Sequence, residues 1–285
     1  MPIQNRTSTR ALELVAAKGG SIWTTCTNTV AGGAALARTE IENMYVPDKA
    51  KTLLGWRPME TPAISAAAES VVSVFDISGG NYNWQPQEVI CGCVSDSCLA
   101  ATGQLLLSQS EYYDVYAPVA GGEQISIGVE PCDAIAGDRR SGAEFTWTDV
   151  RIGLPVIRSQ CSREVALPTA TAGIVAGTTL PITNAHELIE VGGIATHVIA
   201  FASEELNVTL ILKCSALPVN EIRCMFEGTG QINVATPGAI TAYLTRRLQR
   251  LKFSQPSATI YADFDVDVAI AAANVGQMVH YIRWT

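Results

Sequence analysis

The run Thr259–Ile270, TIYADFDVDVAI, decides the fold class. Ile260, Ala262, Phe264, Val266, Val268 and Ile270 fall on one side of an extended chain, and Asp263, Asp265 and Asp267 fall on the other. A period of two marks a strand with one face on an apolar core and one in a polar setting. The same alternation recurs in EQISIGVE (Glu123–Glu130), in EIRCMFEG (Glu221–Gly228) and in QMVHYIRW (Gln277–Trp284). Half-buried alternation of this kind belongs to antiparallel sheets rather than to βαβ units.

Turn chemistry separates these runs. It lies at Ser78-Gly79-Gly80-Asn81, Gly121-Gly122, Gly137-Asp138 with Ser141-Gly142, and Gly228-Thr229-Gly230. Short strands spaced by glycine-rich turns predict an all-β chain built of sandwiches or barrels. The stretch Ala166–Pro181, ALPTATAGIVAGTTLP, carries no charge and is rich in Ala, Thr, Gly and Pro, so it reads as a linker over 166–181. On either side lie two β modules of nearly equal length, 61–165 and 182–285, each the size of a β-sandwich. Residues 1–60 read as a partly helical N-terminal arm or extension. One inserted helix is predicted near 237–252: Thr236 is a good cap, Pro237 stands at the first helical position, and Ile240, Tyr243, Leu244, Leu248 and Leu251 follow at helical spacing.

Composition narrows function. The 285 residues include 19 Lys+Arg and 27 Asp+Glu, for a formal net charge of -8. Charged residues make up 16% of the chain, hydrophobic ones 48% and aromatic ones 7%. Such a chain is too apolar for disorder and has the wrong sign for a simple nucleic-acid coat. Its apolar runs are strand-sized, far short of a helical membrane span. The first 20 residues show no secretory signal pattern. Residues 1–60 hold seven basic and five acidic side chains, a net +2, which leaves −10 for the rest.

Sites for chemistry are few. Eight cysteines in a chain this long, without a secretory signal, read as buried free thiols. CGCVSDSC (Cys91, Cys93, Cys98) lacks the paired spacing of a structural zinc site. HELIE, from His186, has Glu190 where a zinc-protease helix needs a second His. No nucleophile elbow or phosphate-binding loop occurs. Of three histidines, His197 and His280 sit in apolar alternation, where a structural role is expected. No enzyme activity and no cofactor is therefore expected. Trp23, Trp56, Trp84, Trp147 and Trp284 are scattered, which argues against a sugar-binding platform.

Two charged features remain. Asp263, Asp265 and Asp267 start like a calcium loop, but Val268 holds the glycine position and Asn274 stands where the closing Glu belongs. The row reads as a solvated strand face, as ligands of a Ca²⁺ shared with a neighbouring chain, or as a docking row for a basic segment of another subunit. Arg246, Arg247, Arg250 and Lys252, together with Arg6 and Arg10, are the candidates for acidic neighbours or anionic surfaces.

Taken together, the mildly basic extension, the paired β modules, the neutral linker and the scarcity of charge resemble the smaller tandem jelly-roll major capsid proteins of icosahedral phages and archaeal viruses with an internal membrane. That resemblance is architectural and covers the whole chain. It implies upright sandwiches, trimeric or pseudo-hexameric capsomers of identical copies, and an arm on the inner side near membrane or genome. It also implies residence in the virion after assembly in the host cytoplasm. The competing expectations are another self-assembling β protein, such as a tail-tube, spike or surface-layer subunit, and a β-sandwich enzyme or carbohydrate-binding module.

Overall fold

The computed structural model describes residues 20–30, 34, 36–62, 70–79, 87–95, 105–110, 112–132, 139–163, 165–167, 173–199, 208–228, 238–266 and 276–285. Nine strands form the first part: β1 (Ser21–Val30), β2 (Thr39–Tyr45), β3 (Thr52–Pro62), β4 (Ser70–Gly79), β5 (Gln87–Ser95), β6 (Leu105–Ser110), β7 (Tyr113–Pro118), β8 (Gln124–Pro131) and β9 (Arg139–Thr148). Ten form the second: β10 (Arg158–Cys161), β11 (Val165–Leu167), β12 (Gly173–Thr183), β13 (Glu187–Ile199), β14 (Val208–Lys213), β15 (Glu221–Met225), β16 (Glu227–Gly228), β17 (Gly238–Lys252), β18 (Ser257–Val266) and β19 (Gly276–Trp284). All described pairings are antiparallel, and no helix occurs among the described residues.

Four sheets result, with strand orders β1-β9-β3-β7, β2-β8-β4-β5-β6, β10-β19-β13-β17-β16 and β12-β18-β14-β15. The first two enclose a core of inward side chains that include Trp56, Phe75, Ile77, Val89, Ile125, Ile127, Phe145 and Trp147. Trp56, Phe145 and Trp147 stack along the inner face of β3 and β9, with centroids 5.9 and 5.5 Å apart. The last two sheets enclose a second core with Leu188, Val191, Leu210, Leu212, Ile260, Phe264, Met278 and Ile282. Burying an aliphatic or aromatic side chain of this size contributes roughly 1.5–3 kcal/mol. The alternation that predicted strands thus also selects the core face: in β18, Ile260, Ala262, Phe264 and Val266 are buried.

The predicted helix near 237–252 is a strand. β17 pairs with β13 from Gly238 opposite Ile199 to Lys252 opposite Glu187. Thr236 and Pro237 lie outside the described residues. The helix-like spacing of Leu248 and Leu251 has a physical cause: the register shifts between Leu188 and Glu190, so three residues of β17 stand opposite Ile189. A bulge breaks the period of two and lets Leu248 and Leu251 both pack on the second core.

The expected boundaries move as well. Residues 21–60, read as part of an extension, supply β1, β2 and most of β3, all integral to the first sandwich. Part of the stretch read as a linker is sheet: β11 pairs with β19, and β12 pairs with β18 around a bulge between Ala176 and Thr179. Its β-branched residues Ile174, Val175, Thr178 and Thr179 favour extended chain despite the linker-like composition. Residues 1–19 lie outside the described residues.

Candidate functional site

The acidic row lies on the outer face of the β12-β18-β14-β15 sheet, and pairing sets what stands beside it. One row crosses the sheet as Ile174, Asp265, Thr209 and Met225; the next runs Ala176, Asp263, Ile211 and Arg223. Lys213 Nζ reaches Asp263 Oδ2 at 2.7 Å, and Arg223 stands 3.7 Å from Asp265 and 2.5 Å from Glu221. The hydrogen bond from Lys213 to Asp263 raises the lysine pKa, and the bond from Arg223 to Glu221 does the same for the guanidinium. Ile211 faces outward yet is fully buried, with Asp263 and Arg223 beside it in register. Around these pairs Ile174 and Met225 are each 62% exposed and Tyr261 54%. The face is therefore charge-compensated and studded with large apolar side chains.

Asp267 lies outside the described residues, and no group of three or more His, Cys, Asp or Glu suited to a metal occurs among the described ones. The basic candidates are elsewhere. Arg246 and Arg247 stand on β17 opposite Val191 and Glu190. Arg250 is exposed, 3.5 Å from Glu187, and Lys252 is exposed at the end of the strand. Arg6 and Arg10 lie outside the described residues. The acidic row and the basic strand thus belong to different sheets of the second sandwich. Lys213 and Arg223, the partners of the acidic row, went unnoticed in the sequence because only strand pairing brings them beside it; their alternate positions in LILK and EIRC were the one available signal.

A second polar cluster is buried between the sandwiches. The β10-β19-β13-β17-β16 sheet has two packed faces. Leu188, Val191, Met278 and Ile282 enter the second core, while Ile194, Val279 and Tyr281 pack on the first. Among the latter, Arg283 binds Glu190 at 3.2 Å and also donates to the Asp114 carbonyl of β7. Tyr281 donates to Glu190 at 3.1 Å and meets Tyr113 edge-on at 5.7 Å, and the Arg283 guanidinium lies over the Tyr113 ring. Burial opposes the charge of Arg283, but the Glu190 and Asp114 carboxylates outweigh it and hold the pKa above the ordinary value. A second link joins the modules at Arg163, which reaches Glu88 of β5 at 3.2 Å and Glu130 of β8 at 2.8 Å. Both carboxylates of this second link are accordingly tied to the second module.

The reactive groups are quiet. His280 is fully buried, edge-on to Phe264 at 5.6 Å, and neither ring nitrogen has a hydrogen-bond partner among the described residues. Burial lowers its pKa to about 3, too weak a base for proton abstraction near neutrality. Cys26, Cys132, Cys161, Cys214 and Cys224 are all buried, and Cys26, Cys161 and Cys214 carry free thiols. Burial raises Cys26 to about 11 and raises Cys161 as well, so neither is a thiolate at neutral pH. The side chains of Cys91 and Cys93, and the whole of Cys98, lie outside the described residues. An open cleft of about 460 Å³ at one end of the first sandwich is lined by Asp48, Lys49, Lys51, Asp149 and Arg151 among others, a mixture of signs that selects no ligand charge.

No protein family and no curated protein matches the chain. Among solved structures, PNGase F, a glycosylasparaginase from Flavobacterium meningosepticum, is similar with a TM-score of 0.50 at 9% identity, over 92% of this chain and 96% of that one. The STIV MCP is similar with a TM-score of 0.38 at 12% identity, over 94% and 97%. A structure of infectious bursal disease virus, Gx strain, has a TM-score of 0.28 at 9% identity, over 93% and 71%. At these identities the likeness is one of fold: the chain is an all-β protein of tandem antiparallel sandwiches.

Proposed function

We propose that this chain is a structural subunit that self-assembles into a viral capsid shell, as a major capsid protein of the tandem jelly-roll kind. The observation that carries this reading is the outer face of the β12-β18-β14-β15 sheet. Its carboxylates are already paired within the sheet, and Ile174, Met225 and Tyr261 project from it. Solvated faces keep charge free and hide large apolar groups, whereas a face that meets neighbours does the reverse. The low charge content of the whole chain and the buried Arg283, which bonds the Asp114 carbonyl across the module junction, fit a subunit that transmits load as one body.

In this reading the partners are copies of the chain, arranged as trimeric or pseudo-hexameric capsomers in a virion assembled in the host cytoplasm. Arg6, Arg10 and the stretch Arg246–Lys252 are the positions available to an anionic membrane or genome on the inner side. The test is electron microscopy and sedimentation of the purified chain. Closed shells or capsomers are expected for wild type, with Ile174→Lys and Met225→Lys arrested as small species of unchanged melting temperature. A monodisperse wild-type monomer at every concentration would end the proposal.

A further inference from the structure

β1 is an edge strand: β9 is its only ladder partner among the described residues, and near its C-terminal end the Asn28 side chain donates to the Ile41 carbonyl of β2 at 2.9 Å. Its ten residues, SIWTTCTNTV, contain no charge, no proline and no glycine, and their register with β9 is unbroken from Ser21 to Val30. Exposed edges are ordinarily blunted by charge, proline, bulges or shortness, because their free N–H and C=O groups template pairing with another chain. Other edges here carry those devices: Glu40 and Glu42 in β2, Glu221 and Arg223 in β15, and Pro181 and a bulge in β12.

Two contacts show which groups β1 presents. Gly20 donates its N–H to the Asp149 carboxylate just beyond β9, so this parity of residue points towards β9. Thr29 instead gives its N–H to the Asn28 side chain at 2.8 Å. In an antiparallel strand the N–H and C=O of one residue point the same way and alternate along the chain. Trp23, Thr25 and Thr27, in step with Thr29, therefore turn their backbone groups to the free edge. Trp23 is also more than half exposed beside that edge.

We propose that β1 pairs antiparallel with β1 of a second copy across a two-fold axis near Thr25, which joins two four-stranded sheets into one of eight. The occupant follows from charge: the chain carries a net -8 and copies repel, whereas this strand opposes itself with no like charges. Only a self-complementary patch satisfies a two-fold contact, and an uncharged Thr-rich strand is one. Trp23 of each copy lies diagonally across the pair from the other and packs over Thr27. The contact specifies one interface of the proposed shell subunit, but it does not need a shell to form.

The test is sedimentation of the full-length chain, with melting curves as a control for folding. Thr25→Pro removes an outward N–H that β9 does not use, so folding is expected to persist while the dimer dissociates by at least tenfold in Kd. Thr25→Lys and Thr25→Glu are each expected to be monomeric, and their mixture to form a heterodimer. Met225→Lys, on the other module, is expected to leave this dimer intact while it stops larger assembly, which separates failure of the shell reading from failure of this one. A folded Thr25→Pro chain that self-associates like wild type overturns the proposal, as does a Thr25→Lys chain that still dimerises.

Discussion

Arg283 and Glu190 form an ion pair at 3.2 Å with side chains only 3% and 6% exposed, and they do so at the junction of two sandwiches rather than inside either. Glu190 belongs to β13 and Arg283 to β19, neighbours in one sheet, but the guanidinium also serves the backbone of β7 in the other module. A buried pair of this kind stabilises little against a well-packed apolar replacement, yet removal of one partner strands the other.

Arg283→Met is therefore expected to cost about 3–5 kcal/mol, and the double change with Glu190→Leu to recover most of that loss. Urea unfolding followed by tryptophan fluorescence checks both. If the pair holds the modules together, the single variant also splits one transition into two, because each sandwich has its own core.

Gly192 provides the space for this junction. A Cβ there would lie 2.2 Å from the Tyr281 ring. Gly192→Ala is expected to push Tyr281 away from Glu190 and Tyr113, at a cost of about 1–3 kcal/mol, the usual range for overpacking. Thermal melting measures it, and Tyr281→Leu in the Gly192→Ala background should relieve part of the clash.

His280 predicts an acid sensitivity. The unfolded chain protonates this imidazole near pH 6.5, whereas the native site takes the proton only near 3. Between those values the unfolded state binds more protons, so stability falls as pH drops below about 6.5 and levels off near 3. The urea midpoint of wild type should decline over this window more steeply than that of His280→Leu. Equal slopes would show that His280 does not titrate on unfolding.

Asp265→Ala leaves Arg223 with Glu221 and removes only a partly exposed contact at 3.7 Å. The melting temperature is expected to stay put while assembly weakens. Assembly that is the same with and without a chelator would remove the idea of a shared Ca²⁺ at this row.

Part of the fold was legible because burial and alternation are local. TIYADFDVDVAI declared its strand and its core face from its alternation alone, and Phe264 and Ile260 are buried as that pattern requires. The run Gly238–Lys252 misled for an equally definite reason. A bulge opposite Ile189 mimics helical spacing at Leu248 and Leu251, and twelve residues of ladder with β13 outweigh the helix preference of its Leu, Arg and Gln.

By itself the sequence determined the fold class and the inward faces of the strands, because each depends on residues within a few positions of one another. Only the tertiary structure decided what stands beside what. Lys213 meets Asp263 across 50 positions of sequence, and Arg283 meets Glu190 across 93. Register is a property of two strands at once, so no single run encodes it. Likewise the neutral strand Ser21–Val30 acquires meaning only because, among the described residues, β9 alone pairs with it in the sheet.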